Sequence, residues 1–224
     1  MKKRFLLSIV AAVLSTVALH ADLVLVQKVD NHLGMNGEIS LKIKGDSVRM
    51  DMGNDVSVVL DGATGSITSI IHAQKTYLTM EGDSINQMMK AVAAQNKDKK
   101  AGEVKLVPTG KTEVINGQKA EVFNLEGAPY KGTFWIARDY PNAAGIQAAL
   151  KRIQELPMNR MAAEVAPQPK DIPGVPVKTE IEIAPGQKVT TELVSVKEEN
   201  LDPALFKAPE GYKAMQMPAM PPQQ

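Results

Sequence analysis

Glu38-Ile-Ser-Leu-Lys-Ile-Lys44, with Val48-Arg-Met-Asp-Met52 and Val56-Ser-Val-Val-Leu60 after it, is the stretch that decides the fold. Ile39, Leu41 and Ile43 alternate with polar neighbours. A period of two puts these three on one face of a strand and the polar set on the other. Val48, Met50 and Met52 repeat the alternation after Gly45-Asp46, and Val56, Val58 and Leu60 repeat it after Gly53-Asn54. Asp61-Gly62 begins the next reversal. Short strands joined by tight turns predict an antiparallel meander, because parallel neighbours need long crossovers.

Toward the C-terminus, Ile67 to Ile71 and Thr76 to Met80 read as two further strands. The period then changes. Ile85, Met88, Met89 and Val92 fall at helical spacing, with Asp83 or Ser84 as candidate N-caps. Asn96 to Gly102 is lysine-rich and reads as a solvated loop. Strands resume at Glu103 to Val107. Lys111 to Ile115 and Gln118 to Leu125 then flank Asn116-Gly117, the pair best suited to a type I′ hairpin turn. Lys131 to Ala137 is another strand and carries the sole tryptophan, Trp135.

A second helix is predicted from Ala143 to Leu156, with Ile146, Leu150 and Ile153 as its apolar stripe and Pro157 as its stop. Met158 to Val175 reads as an extended loop. Val177 to Ile183 and Lys188 to Val196 form the last hairpin around Pro185-Gly186, and Leu201 to Tyr212 closes the domain. The count is about ten strands and two helices, which makes the chain mainly β (α+β).

Toward the N-terminus, Met-Lys-Lys-Arg precedes a largely apolar run from Phe5 to Leu19. A basic head, a short apolar stretch and a small residue at the cut make a secretory signal over residues 1–21, cleaved after Ala21 or, alternatively, Ala18. The run falls short of the roughly 20 residues that span a bilayer, so no integral membrane segment is expected after cleavage. The mature domain is placed at residues 22–213. The tail, 214–224, is rich in Met, Pro and Gln and is expected to be disordered.

The chain has 26 basic and 25 acidic residues; without Lys2, Lys3 and Arg4 the mature part carries about two net negative charges. That balance gives no electrostatic footprint for nucleic acid. The absence of cysteine removes thiol catalysis, cysteine metal sites and a lipoprotein acylation site, and leaves stability to the core.

Several segments resemble an uncharacterised bacterial envelope family, a domain of unknown function related in fold to the lipoprotein carrier LolA and to LppX. They are Gly45-Asp-Ser-Val-Arg-Met-Asp51, Lys75-Thr-Tyr-Leu78, Thr109-Gly-Lys-Thr-Glu-Val-Ile-Asn-Gly117, Phe134-Trp-Ile-Ala137 and Leu201-Asp-Pro-Ala-Leu-Phe-Lys-Ala-Pro-Glu-Gly-Tyr212. Family members often have cysteine where this chain has Ala120. The resemblance implies a half-open barrel: one large, strongly curved antiparallel sheet with the helices against its concave face. It further implies an apolar cavity for acyl chains. Met50, Met52, Met80, Met88 and Met89 would suit an adaptable wall for such a cavity. No family ligand residue transfers to a numbered position, so the ligand-binding residues are unknown at this stage.

Chemistry is sparse. His32 and His72 are the histidines of the mature part. Neither sits in a metal-ligand spacing, so no metal site is expected. His72, before Ala73-Gln74, reads as an exposed turn residue. Ser66 and Ser69 have no evident base. Asp51 with Asp55, and Glu198 with Glu199, are carboxylate pairs of the kind that the wet side of any sheet provides. No catalytic residue and no cofactor is expected. Met215, Met217 and Met220 place three thioethers in six residues, a minor candidate for Cu(I).

The sequence therefore predicts an exported, non-enzymatic periplasmic (or secreted) protein that binds an apolar ligand, a lipid or acylated protein. The alternative is an envelope interaction or assembly module with a fully packed core, working through an edge strand or the Met158–Val175 loop with a protein partner.

Overall fold

The computed structural model describes residues 22–31, 36–95, 104–127, 130–155 and 167–215. The expected signal (1–21), His32, the lysine-rich loop, the first half of the Met158–Val175 loop, and Met217 and Met220 lie outside the described residues.

The described residues form one open sheet of twelve strands with two α-helices, a half-barrel. The strands are β1 (Asp22–Asn31), β2 (Gly37–Lys44), β3 (Ser47–Met52), β4 (Val56–Leu60), β5 (Ile67–Ile71), β6 (Thr76–Met80), β7 (Lys105–Ile115), β8 (Gln118–Glu126), β9 (Lys131–Ala137), β10 (Val175–Ala184), β11 (Gln187–Glu199) and β12 (Lys213–Ala214). Helix α1 is Gly82–Gln95 and α2 is Ala143–Glu155. Their order across the sheet is β12-β6-β5-β4-β3-β2-β1-β11-β10-β9-β8-β7. All neighbours are antiparallel except β12, which adds in parallel to β6. Two meanders, β1–β6 and β7–β11, meet where the first strand pairs with the last long one.

The sheet has twelve strands against the expected ten or so, and two local features differ from the reading. Glu103–Val107 and Lys111–Ile115, read as separate strands, are one strand, β7, with an irregularity between Pro108 and Thr112 where Gly110 takes a positive φ of 76°. Proline lacks the N–H for a ladder, and an edge strand such as β7 tolerates it. The closing segment also adds β12 at the opposite edge. The hairpin turn is as read: Asn116 and Gly117 both have positive φ, 48° and 78°.

The main core gathers Leu23, Leu25, Ile43, Val48 and Leu60 from one meander and Ala120, Val122, Trp135, Val175 and Val177 from the other. Helix α2 closes it with buried Ile146 and Ala149 and partly buried Leu150, so Ile146 and Leu150 of the predicted stripe pack on the core; the side chain of Ile153 falls outside the described residues. A smaller cluster, Phe123, Leu125, Phe134 and Ile136, lies on the opposite face of β8 and β9. Helix α1 starts earlier than its candidate caps suggested. Ile85 N–H donates to Glu81 O at 3.1 Å, which puts Asp83 and Ser84 inside the first turn. Gly82 is pressed against the β4–β5 turn, where a Cβ would lie 2.3 Å from Thr64 O. Ile85 is buried and Met88 is 49% exposed; the side chains of Met89 and Val92 fall outside the described residues.

Candidate functional site

The regular registers of β2 to β6 sort their side chains into rows across the sheet. On the inner face the first row is Ile43, Val48, Leu60, Ile67 and Met80. The second is Leu41, Met50, Val58, Ser69 and Leu78, and the third is Ile39, Met52, Val56, Ile71 and Thr76. The first three members of the first row are buried in the main core. No member of the second and third rows is buried, and Met52 is 39% exposed. The inner face is thus a largely apolar floor, sealed at one end and half covered over the rest. Met50, Met52 and Met80 lie on it, as the alternation required. Thr76, at the edge of the floor, has a buried Oγ1 without a hydrogen-bond partner among the described residues.

The outer face of the same strands is closed differently. The C-terminal segment crosses it, with a short 3-10 turn at Pro203–Phe206 capped by Asp202, whose carboxylate accepts from Ala204 N–H at 2.8 Å. On this face Val59 and Ile70 are buried, and so is Ser57. Asp51 stands opposite Ser57 in register, and His72 lies diagonally across, two residues beyond Ser57's partner Ile70. Diagonal neighbours of this kind are within reach of long side chains.

The result is a polar clasp. Arg49 Nε donates to Asp51 Oδ1 at 2.6 Å, Nη2 to Ser57 Oγ at 2.8 Å, and Nη1 to the carbonyl of Leu205 at 2.8 Å. Lys42 Nζ donates to the other carboxylate oxygen of Asp51. Ser57 Oγ lies 2.6 Å from Asp51 Oδ1 and 2.7 Å from His72 Nε2, and His72 Nδ1 lies 3.0 Å from the Tyr212 hydroxyl.

These contacts assign the serine proton. Asp51 and Ser57 are close enough to require a hydrogen between them, and the carboxylate cannot supply one, so Ser57 donates to Asp51. Its lone pairs then accept from Arg49 and from His72 Nε2–H. The other ring nitrogen, Nδ1, is hydrogen-bonded to the Tyr212 hydroxyl. Burial on its own would raise the Asp51 carboxyl, but hydrogen bonds from Lys42, Ser57 and Arg49 outweigh it and hold the group below its ordinary value.

Serine, histidine and aspartate meet here without forming a nucleophile. A catalytic serine gives its proton to histidine, whose other nitrogen is held by the carboxylate. Here the carboxylate accepts the serine hydrogen bond, both serine lone pairs are occupied, and the residue is 1% exposed. The arrangement orients and fastens.

His72, read as an exposed turn residue, is corrected to a half-buried member of the clasp. Ser57, Arg49 and Tyr212 were not singled out by the sequence; the available signal was the polar side of the β3–β4 alternation. Asp55 is exposed in the β3–β4 turn, where its backbone carbonyl accepts from His72 N–H at 2.9 Å. Ser69 lies on the inner floor, and Ser66 hydrogen-bonds within its own turn. Glu198 and Glu199 are adjacent on β11 and so project to opposite faces, with Glu198 accepting from Asn142. Met215 is described, and its amide donates to Tyr77 O at 2.7 Å. Among the described residues no three His, Asp or Glu side chains converge as metal ligands, and no helix is long and apolar enough to cross a membrane.

Fold and clasp together define an open α+β half-barrel strapped on its outside by its own C-terminal segment. By sequence the chain belongs to the DUF4412 family, a domain of unknown function, whose model matches residues 25–212. No curated protein matches it. Among solved structures it is similar to PNGF-II at 13% identity and a TM-score of 0.39, over 89% of this chain and 31% of that one. It is also similar to MucB in complex with MucA(peri), at 12% and 0.34, over 88% and 57%. A LolA superfamily protein from Nitrosomonas europaea matches at 10% and 0.23, over 84% and 91%. The chain spans about a third of the length of PNGF-II (31%) and little more than half that of MucB (57%).

Proposed function

We propose that this is an exported, non-enzymatic binding protein of the bacterial envelope, which takes an apolar ligand on the inner face of β2 to β6. The ligand class is a lipid or the acyl chain of an acylated protein. The observation that carries the reading is the pair of half-covered rows built around Leu41, Met50, Val58 and Leu78, and around Met52 and Ile71. A sheet face that served only as core would be sealed along its whole length, as the first row is at Ile43, Val48 and Leu60. Burying about ten methylenes there would supply roughly 8 kcal/mol before the entropy of immobilising the chain is subtracted. Unbranched methionines on the floor adapt to chains of different shape. Export rests on the sequence of residues 1–21.

The test is native mass spectrometry and organic extraction of protein purified from its host envelope. A co-purifying lipid is expected in the wild type and should be lost from Leu78→Glu, whose substitution puts a charge on the floor. Repeated preparations that carry no lipid, from protein that binds no added fatty acid, refute the reading.

A further inference from the structure

The outer edge of β6 is only partly covered. β12 pairs in parallel with its first two residues alone, Lys213 with Thr76 and Ala214 with Tyr77. Among the described strands nothing flanks Leu78, Thr79 and Met80 on that side. The rows of the apolar floor run out at this same edge, the second at Leu78 and the first at Met80.

The last described residues run along the edge with a fixed heading. The Tyr212 hydroxyl is held by His72 at 3.0 Å, Lys213 N–H donates to Lys75 O at 2.9 Å, and Met215 N–H donates to Tyr77 O at 2.7 Å. Donors at 213 and 215 are evenly spaced, as a parallel ladder requires, and they leave Thr79 as the next rung. Carried on in register, the ladder sets Met215 beside Leu78, Gln216 beside Thr79 and Met217 beside Met80.

The sequence suits that register. Met215 and Met217 fall on the inner face with Leu78 and Met80, and each prolongs a row of the floor by one apolar side chain. Polar Gln216 falls outside, beside Thr79. Pro218 has no N–H to give, and its place in the alternation turns that missing donor away from β6, where an edge strand tolerates proline. The five residues Pro218-Ala-Met-Pro-Pro222 reach about 15 Å in the extended form that proline favours, roughly the three strand spacings from β6 to β3.

The geometry points to an occupant of the floor within the chain itself: Met215–Met217 prolongs β12 along β6, and Pro218–Pro222 turns over the half-covered rows and lays Met220 on them. A contact too weak to hold a free peptide suffices here, because a short tether presents the segment at an effective concentration on the order of millimolar. An acyl chain entering the floor must displace it. That competition rests on the apolar-ligand reading above; the strand extension does not.

The chain has no cysteine, so introduced pairs read the register directly. Thr79→Cys with Gln216→Cys places two thiols on the outer face at ladder partners, about 5 Å apart at Cα and inside disulfide range. Oxidation of the full chain at low micromolar concentration should close an intramolecular disulfide at least tenfold faster than in Thr79→Cys with Met217→Cys, whose second thiol faces the other side. The oxidised 79–216 pair should bind cis-parinaric acid at least fivefold more weakly than the same protein after reduction. Met217→Asn with Met220→Asn should bind it at least threefold more tightly than the wild type. Equal oxidation rates in the two pairs overturn the inference, as does a disulfide-linked dimer, which would put a second copy at the edge. It is overturned too if the closed disulfide leaves parinaric acid binding as tight as in the reduced form. If no form binds parinaric acid, the apolar-ligand reading fails, and occupancy of the edge is decided by the two oxidation rates alone.

Discussion

Replacing Ser57 by alanine separates a fastening role from a catalytic one. The substitution removes one donor from Asp51 Oδ1 and leaves His72 Nε2–H and Arg49 Nη2–H facing a methyl group. A buried donor left unpaired costs about 1–3 kcal/mol. Arg49 and His72 are only partly buried, so water recovers some of this for each. The expected loss is about 2–4 kcal/mol. With a urea m-value of about 2 kcal/mol/M, the unfolding midpoint should fall by roughly 1–2 M. Tyr212→Phe acts through the same imidazole, so its effect should be less than additive with Ser57→Ala, by about 1 kcal/mol in a double-mutant cycle. A serine strained for catalysis would behave in the opposite way, since removing an active-site group tends to stabilise a fold. A midpoint within about 0.2 M of the wild type, or above it, refutes the fastening role.

Acid should loosen the clasp. Asp51 is held below its ordinary value of 3.8, so the unfolded chain takes up that proton more readily than the native one. The stabilisation is therefore complete above that pH and lost as pH falls through the lower native value. Urea midpoints measured from pH 7 to pH 2 should show the gap between wild type and Asp51→Asn narrowing only below about pH 4; a constant gap contradicts the assignment. Gly82→Ala should lose about 2–3 kcal/mol, because its Cβ would sit 2.3 Å from Thr64 O and the β4–β5 turn must move; thermal unfolding reads this directly. Asn116→Val should cost about 1–2 kcal/mol by forcing a β-branched residue to a φ of 48°. The same change removes the bond from Asn116 Nδ2 to Leu193 O, so Asn116→Gly should lose less.

Much of the fold was legible because alternation and turn chemistry are local signals. Ile67–Ile71 and Thr76–Met80 fall where the pattern placed them, and Asn116-Gly117 turns as its composition demands. The closing segment was legible as a family motif and a terminus, but its contacts were not, because they are with residues about 150 positions away. Arg49 meets Leu205 and His72 meets Tyr212 through pairings that no periodicity encodes. The same limit hid the clasp. Asp51 was noticed as one carboxylate among many, whereas its partners come together only through the β3–β4–β5 register. Two rules also gave way to position: Pro108 stays in a strand because β7 is an edge, and Pro176 stays in β10 at a register shift.

The two faces of β2 to β6 show how strap and floor depend on each other. A strand buried on both faces reads as a continuous apolar run, yet here the outward positions are Lys42, Arg49, Asp51, Ser57 and Thr68. That face is closed by directional hydrogen bonds and the Leu201–Tyr212 segment, with Val59 and Ile70 buried on it. Closure from outside spares the inner face from providing all the burial for these five strands. The inner rows can then stay partly open without unravelling the meander. On this argument the clasp sets the stiffness of the floor, so Tyr212→Phe should raise hydrogen exchange in β5 and β6 while leaving β8 and β9 unchanged. If fatty-acid binding is also weakened in that variant, with its binding-face residues intact, the coupling runs through the sheet; exchange that rises equally in both meanders would show instead that the clasp supports only global stability.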